Sequence, residues 1–473
     1  MADLERRRNE ELARILHQLG WNPERLAREV NLTLPPGLAI SSTAPYKWRD
    51  RGMVPRSPHD QAVCEVLGRT LGIAVTYEQL WGRMGGNRGA KILSPHLLTD
   101  AWTADTAQTA LREAATDAGP VRLTDLFRGA DLDGAARRLA TPPPAVGGGE
   151  GALRIDPGLV GDLRLSHRSK LRLERACGGG LVLGAARAEL ALVAKLLELG
   201  EYDEQLGRAL YGTAARFARL AGWAAYDLGH EAAAQRAFVA ALRAAHVSGD
   251  RRLGVGVVGS LVVLATQSAG GRGLDAVGAL VGALEAAGDA LGPADRALQL
   301  GRIARAYGRR GEPDLVRAAA ERAFAELGAV GEPGAAGAVG AVGEPGEAGE
   351  PGVVGEAGQA GQVVAQAEPA GAGEAWADLA GMVGEGYLFL GDHRQARPLL
   401  ARAVAGLGPG RARARALLMV RLADSQCRAG RHREAAATAD RARALAAGMQ
   451  SERVARALRD FDAASRAVLP GEA

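Results

Sequence analysis

One arrangement of small and apolar residues recurs along the C-terminal two thirds of the chain, and it limits the possible folds more than any other feature. In its clearest copy, Gly222 and Gly229 stand seven residues apart, and Ala234, Phe238 and Ala241 follow. Small residues let helices approach closely, and one large residue fills each gap between them. The spacing therefore predicts helical pairs that stack into a solenoid with a concave inner surface.

Further copies of this arrangement predict five helical pairs. They cover residues 206–245, 252–287, 294–327, 376–407 and 412–446, and a capping helix is expected over 451–468. The step from Ala234 to Ala276 and that from Ala396 to Ala435 both exceed the roughly 34 residues of a tetratricopeptide repeat. We therefore expect a tetratricopeptide-like solenoid with longer helices or turns.

Composition agrees with an all-α chain of several domains. The 473 residues are 47% hydrophobic but only 4% aromatic, which favours long helices over β-sandwiches. We predict a helix-turn-helix bundle over residues 1–84, a linker with short helices over 85–155, and a first repeat region over 156–327. An insert over 328–372 and a second repeat region over 373–468 complete the chain.

The insert repeats glycine at every third position from Gly328 to Val363, which is the period of collagen. Within this tract proline stands only at Pro333, Pro345 and Pro351, and the glutamates have no basic partners there. A triple helix would also need three chains to emerge from inside a solenoid. A disordered loop is therefore preferred over a triple helix.

The segment APYKWRDR is predicted as the third of four N-terminal helices and carries the clearest functional signal. Pro45 and Trp48 would face the bundle, and the opposite face would lie in the major groove of DNA. The residues expected to contact bases or phosphates are Thr43, Tyr46, Lys47, Arg49, Arg51 and Arg56. The alternative is a bundle with an ordinary charged face, because Asp50, Glu24 and Glu29 weaken the positive field.

ERLAREVN, the long turn after it, STAPYKWRDRGMVPR and TYEQLW resemble the helix-turn-helix domain of regulators from sporulating, antibiotic-producing actinobacteria. The core of that domain is similar to the XRE, or phage-repressor-like, class. LAGWAAYDLGHEAAAQRAFVAALRAA, over residues 220–245, resembles the best-marked tetratricopeptide repeat of the same family. The turn before the third helix is longer than in simple phage repressors, and the insert departs from the family pattern. The resemblance implies transcriptional control by a homodimer bound to double-stranded DNA.

The inner face of the solenoid is the second candidate site, for a peptide or protein effector. Guanidinium and aromatic groups suit the carboxylates and backbone of a peptide. Projection of the repeat places six such residues on this face: Arg216, Arg219, Trp223, Tyr226, Arg302 and Arg305. The alternative is that these residues only pack against neighbouring repeats.

Other patterns favour neither an enzyme nor a cofactor or metal site. GVGVVG, over 254–259, matches the dinucleotide fingerprint but lacks the preceding strand, and we expect a helix contact instead. His230, His393 and His432 fall in separate inter-helix turns, too far apart to share a metal. Cys64, Cys177 and Cys427 form no disulfide framework. With no apolar leader and no span of about 18–20 apolar residues, a cytoplasmic protein without membrane contact is expected.

Two hypotheses remain. The first is a DNA-binding transcriptional regulator whose repeats dimerise or bind an effector. The second is a protein-interaction adaptor that does not bind DNA and works through the solenoid alone. The near balance of 58 basic and 54 acidic residues, a net charge of +4, keeps the second hypothesis open.

Overall fold

The fold is all-α. The computed structural model describes residues 8–32, 34, 38–56, 59–71, 75, 80–81, 101–116, 129–146, 149–267, 276–328 and 372–468. The G-X-Y tract, apart from its first glycine, and most of TYEQLW lie outside the described residues. Four helices form an N-terminal bundle: α1 (Glu10–Gln18), α2 (Pro23–Asn31), α3 (Ala44–Arg51) and α4 (His59–Leu71).

Local signals explain where the bundle helices begin and end. Asn9 and Asn22 cap α1 and α2, since each side chain accepts a hydrogen bond from a backbone N–H in the first turn. Pro23 stands at the first position of α2, where a missing N–H costs nothing. Gly52 ends α3 with a left-handed φ of 59°, which glycine adopts without steric penalty. The predicted third helix, APYKWRDR, coincides with α3.

Two helices between the bundle and the repeats belong to the body of the solenoid. They are α5 (Ala104–Ala115) and α6 (Gly129–Arg138). Helix α5 packs against the later helices α8 and α10, and α6 against α12; their bounds are given below. Leu111 and Leu132 are fully buried in the same core as the repeats. The described helices of the segment expected to be a linker therefore share a core with the repeats.

A small three-stranded sheet was not expected from the sequence. Strands β1 (Gly149–Glu150) and β2 (Leu153–Arg154) flank β3 (Gly200–Tyr202), with β1 antiparallel and β2 parallel to β3. Gly151 makes the approach possible, because a Cβ there would lie 2.0 Å from the Leu199 carbonyl oxygen. Strands of two or three residues carry too little hydrophobic pattern to be found from sequence.

Helices in antiparallel pairs make up the rest of the described chain. The first pair is α7 (Gly158–Cys177) and α8 (Leu183–Leu199). The predicted pairs follow: α9 (Glu204–Asp227) with α10 (Glu231–Ser248), α11 (Arg251–Gln267) with α12 (Val277–Ala287), α13 (Pro293–Arg310) with α14 (Pro313–Gly328), α15 (Ala372–Phe389) with α16 (His393–Gly406), and α17 (Ala412–Arg428) with α18 (His432–Ala446). Helix α19 (Glu452–Val468) covers the end as the capping helix.

The solenoid curves until its two ends meet. Helices α7, α9, α11, α13, α15 and α17 each contact the next, and α17 also contacts α7. At the junction, the Gln450 N–H donates to the Cys177 carbonyl at 3.0 Å, and the Gly180 N–H donates to the Gln450 carbonyl at 3.1 Å. The six helices therefore surround one enclosed inner face, whereas the sequence predicted a solenoid with a concave inner surface.

A buried carboxylate holds this junction together. Asp227, with no exposed surface, accepts hydrogen bonds from the Gly179 N–H at 2.9 Å, from Ser451 Oγ at 2.8 Å and from Arg413 Nη1 at 3.1 Å. Arg413 also pairs with buried Glu174 at 2.6 Å. Because each charge in this cluster has a partner of opposite charge, its burial is compensated.

Candidate functional site

Helix α3 is anchored in the bundle by one face, as predicted. Pro45 and Trp48 are buried, and the Trp48 ring packs edge-to-face on Trp81 with centroids 6.2 Å apart. The Asn9 N–H donates to the Arg49 carbonyl at 2.8 Å and ties the end of α3 to the start of α1. The opposite face of α3 is thus held in a fixed orientation by packing rather than by a ligand.

Two of the predicted DNA-contacting residues already have partners in the bundle. Arg49 makes two parallel hydrogen bonds to Asp50, from Nε to Oδ1 at 2.7 Å and from Nη2 to Oδ2 at 2.8 Å, and it lies over the Tyr46 ring. The Tyr46 hydroxyl donates to Glu24 Oε1 at 3.3 Å. Hydrogen bonding to Arg49 lowers the pKa of Asp50, so this pair is ionised at neutral pH. A DNA base that binds the Nε and Nη2 edge of Arg49 would have to displace Asp50.

The remaining predicted contact residues on and near α3 are open to solvent. Lys47 and Arg51, one turn apart on the same face, are exposed and have no ion-pair partner among the described residues. Arg56 is exposed beyond the helix. Thr43 occupies the N-cap position, but its side chain does not cap the helix and lies 3.2 Å from the Ser41 hydroxyl instead.

The long turn before α3 is fixed by a pair of reciprocal hydrogen bonds. The Asn31 side chain donates to the Ile40 carbonyl at 2.9 Å and accepts from the Ile40 N–H at 2.8 Å. His59 Nε2 is hydrogen-bonded to the Leu38 carbonyl at 2.8 Å. Asn31 and His59 were not singled out in the sequence, although an asparagine at the end of a helix is a recognisable turn signal.

The predicted effector residues fall into a paired and an unpaired group. Arg216 on α9 pairs with Asp250 at 3.0 Å, and Arg305 on α13 pairs with Glu385 on α15 at 2.9 Å. Glu385 is buried and also lies 3.4 Å from Arg421. Burial opposes its ionisation, but the two guanidinium groups outweigh burial and lower its pKa. Arg216 and Arg305 therefore have structural partners across the helix contacts of the inner face.

Arg219 and Arg302 are the unpaired group. Arg219 Nε lies 3.2 Å from Ser260 Oγ, while Arg302 Nη1 donates to the Gly256 carbonyl at 3.2 Å and to Gln299 Oε1 at 3.0 Å. Within the described part of the chain, neither guanidinium reaches a carboxylate at ion-pair distance. Burial, followed by repulsion from neighbouring arginines, lowers the pKa of Arg219 to about 10 and that of Arg302 to about 9. Both side chains remain cationic at neutral pH.

The two predicted aromatic residues mainly pack against other side chains and offer little open surface to a ligand. Trp223 is half-buried and packs edge-to-face on Phe238 and Tyr226, with centroids 5.4 Å and 5.9 Å away. Tyr226 is buried and is covered by the Arg453 guanidinium at 4.5 Å from its ring centroid. Trp223 therefore packs within its own helical pair, and Tyr226 is covered by the capping helix α19.

The glycines of GVGVVG serve helix packing, as the sequence suggested. They lie inside helix α11, and the element directly before α11 is helix α10 and not a strand. A Cβ at Gly256 would lie 3.3 Å from Arg219 Nη1, and one at Gly259 would lie 2.4 Å from Arg302 Nη1. The absence of these side chains makes room for the two unpaired arginines. Sequence reasoning did not connect the glycines with the arginines, because they are about 40 residues apart.

No group of metal-ligating side chains is found among the described residues. His393 and His432 each begin the second helix of a pair, and His230 immediately precedes such a helix, so the three lie in separate repeats. In the described ranges, no helix has the length and apolar content needed to cross a bilayer.

Comparison with known proteins finds a similarity for the N-terminal bundle. The family model described as the SP15 N-terminal domain matches residues 12–81, which run from within α1 past the end of α4. No curated protein matches the chain. The bundle is therefore similar to a recognised domain, and the chemistry of its surface has to indicate what it binds.

Proposed function

We propose that this protein is a DNA-binding transcriptional regulator. In this proposal the bundle binds double-stranded DNA through α3, and the repeats form a homodimer or bind a peptide or protein effector in the cytoplasm. The observation that carries the proposal is the pair Lys47 and Arg51. Both are exposed and unpartnered on one face of a short helix whose opposite face is anchored by Pro45 and Trp48. A rigid helix that presents basic side chains suits the major groove.

Two further features support this function. The resemblance of the bundle and of the first repeat to actinobacterial regulators implies it. Arg49, which pairs with Asp50, is a third basic side chain on the same short helix. A homodimer would place two α3 helices on half-sites about one DNA turn, or a multiple of it, apart.

The test is selection of bound fragments from genomic DNA by the full-length protein at two salt concentrations. We expect a sequence-enriched set whose affinity falls with salt. Lys47→Ala combined with Arg51→Ala should weaken operator binding by about 1–3 kcal/mol per lost contact. Arg14→Ala combined with Arg69→Ala removes the same charge from α1 and α4 and should change affinity much less.

A second variant tests the role of the Arg49–Asp50 pair. Asp50→Asn removes the carboxylate that occupies the Arg49 guanidinium in the DNA-free protein. We expect tighter operator binding, because Arg49 no longer has to give up a charged partner. Unchanged affinity in both Asp50→Asn and the Lys47/Arg51 variant would argue against DNA contact through α3.

The alternative is an adaptor that binds proteins but not DNA. The neutralisation of Arg49 by Asp50 and the acidic Glu24 beside Tyr46 favour it, since both reduce the positive potential of α3. Full-length protein that retains no genomic fragment even at low salt would support the adaptor.

A further inference from the structure

Arg219 and Arg302 lie on the enclosed inner face, and among the described residues each is a half-buried cation with no carboxylate at ion-pair distance. Two neighbouring arginines of this face do have carboxylate partners: Arg216 has Asp250, and Arg305 has Glu385. A partly desolvated charge is costly unless an opposite charge compensates it. Burial lowers the pKa of Arg302, and repulsion from the Arg219 guanidinium lowers it further.

Two glycines provide the space for these two side chains, and no carboxylate of the described residues neutralises their charge. Gly256 and Gly259 on α11 leave the space in which the guanidinium groups of Arg219 and Arg302 lie. Ser260, Gln299 and the Gly256 carbonyl hold one edge of each group by neutral hydrogen bonds. These contacts use one N–H of Arg219 and one terminal nitrogen of Arg302, so most of the guanidinium donors remain for a ligand.

We propose that Arg219 and Arg302 together bind a carboxylate group of an acidic ligand on the inner face. This inference rests on the proposed function, in which the same face receives the effector, and it names the chemistry of that effector. Carboxylates are the groups that already bind the neighbouring arginines Arg216 and Arg305, and a guanidinium matches them with two parallel hydrogen bonds.

The nearest carboxylates do not neutralise the two arginines. Asp295 favours the charged form of Arg219, and Asp378 that of Arg302, but neither forms an ion pair with its arginine. Neighbouring arginines have the larger effect on both pKa values, so the surroundings stay positive and attract an anion. The inner face is enclosed by a closed ring of six helices: α7, α9, α11, α13, α15 and α17. Such a face suits a thin ligand, either an extended acidic peptide or a small carboxylic acid, better than it suits a folded domain.

The test is binding to full-length protein of a fluorescent peptide of six glutamates, with citrate and inorganic phosphate as competitors and a peptide of six lysines as the charge-reversed probe. We expect the glutamate peptide to bind and the lysine peptide not to bind. Competition by citrate alone would show that a small carboxylic acid also fits, and failure of citrate to compete would assign the site to peptides. Stronger competition by phosphate than by citrate, or no binding of either carboxylate probe, would overturn the proposal.

Substitutions locate the site. Arg219→Gln and Arg302→Gln should each weaken carboxylate binding about tenfold to a hundredfold, the usual size of a lost charged hydrogen bond. Gly259→Ala keeps every charge but places a methyl group where Arg302 Nη1 lies, and it should weaken binding at least severalfold. Arg394→Gln, an exposed position on α16, is the matched control and should leave binding unchanged.

Thermal unfolding of each variant without ligand checks that it folds. Wild-type affinity in a folded Arg219→Gln, Arg302→Gln double variant would refute the proposed site. Operator binding is measured separately, so the two proposals fail independently. Specific DNA binding without carboxylate binding would refute only the effector chemistry, and carboxylate binding without DNA binding would refute only the regulator.

Discussion

At the scale of single residues, burial and the nearby arginines of the inner face lower the pKa of a histidine. His167 on α7 packs edge-to-face on Phe217, with centroids 5.4 Å apart. Burial, followed by repulsion from Arg216 and Arg219, lowers its pKa to about 4 from an ordinary value near 6.5. The folded protein therefore keeps His167 neutral under conditions in which an unfolded chain would protonate it.

This histidine should make stability depend on pH. Because the pKa of His167 is lower in the folded protein, the unfolded chain binds one more proton between about pH 6.5 and pH 4. The free energy of unfolding is therefore highest above pH 6.5 and decreases as the pH falls toward 4. Between about pH 7.5 and pH 5.5, wild type should lose about 1 kcal/mol more unfolding free energy than His167→Gln does. Urea denaturation at the two pH values measures the difference, and equal losses in both proteins would contradict it.

At the scale of helices, glycine decides how closely α13 and α15 approach. A Cβ at Gly308 would lie 2.2 Å from the Gly386 carbonyl oxygen, and one at Gly386 would lie 3.0 Å from the Ala304 carbonyl. Backbone atoms cannot rotate away as a side chain does. The two inner helices therefore touch backbone to backbone, and this contact joins the repeats that precede and follow the insert.

Gly308→Ala should consequently destabilise the protein, although alanine is the better helix former. We expect a loss of at least about 2 kcal/mol in unfolding free energy, because the two helices have to separate. Gly282→Ala is the matched control: it lies within helix α12 and its Cβ would meet nothing within 4 Å. That control should gain about 0.5–1 kcal/mol. Calorimetry of both variants decides, and a stabilising Gly308→Ala would show that the close contact does not exist.

At the scale of the whole molecule, the junction of the two solenoid ends depends on one carboxylate. Asp227 on α9 accepts from residues that precede it by 48 positions and follow it by 186 and 224 positions. Such long-range bonds turn a row of repeats, in which each contacts only its neighbours, into a closed body. Cooperativity between the first and last repeats is the expected consequence.

Asp227→Asn should open this junction. The variant leaves Arg413 with Glu174 alone and replaces a charged acceptor by a neutral one, for an expected loss of about 3 kcal/mol. We also expect a larger radius of gyration in X-ray scattering and earlier proteolysis near Gln450. Asp440→Asn, at an exposed pair with Arg443, should change stability by less than about 0.5 kcal/mol. A closed, unchanged scattering profile for Asp227→Asn would disprove the role of this carboxylate.

The sequence by itself determined the helices and their ends. Asn22, Pro23 and Gly52 act within one turn of the chain, as do the glycines that end helices at Gly229, Gly391 and Gly430, all with positive φ. The periodic alanines likewise indicate only which helix faces pack against a neighbouring helix. For this reason the five repeat pairs and the orientation of Trp48 in α3 could be predicted without a structure. The DNA contacts and the effector remain predictions.

Only the tertiary structure decided which charges meet. Arg305 and Glu385 are 80 positions apart, and Ser451 and Asp227 are 224 apart, so no local pattern connects them. Projection of the repeat located six inner-face residues, but it could not separate paired Arg216 and Arg305 from unpaired Arg219 and Arg302. The curvature that closes the solenoid is likewise the sum of small rotations at many helix contacts, and the sequence of any one repeat does not contain it.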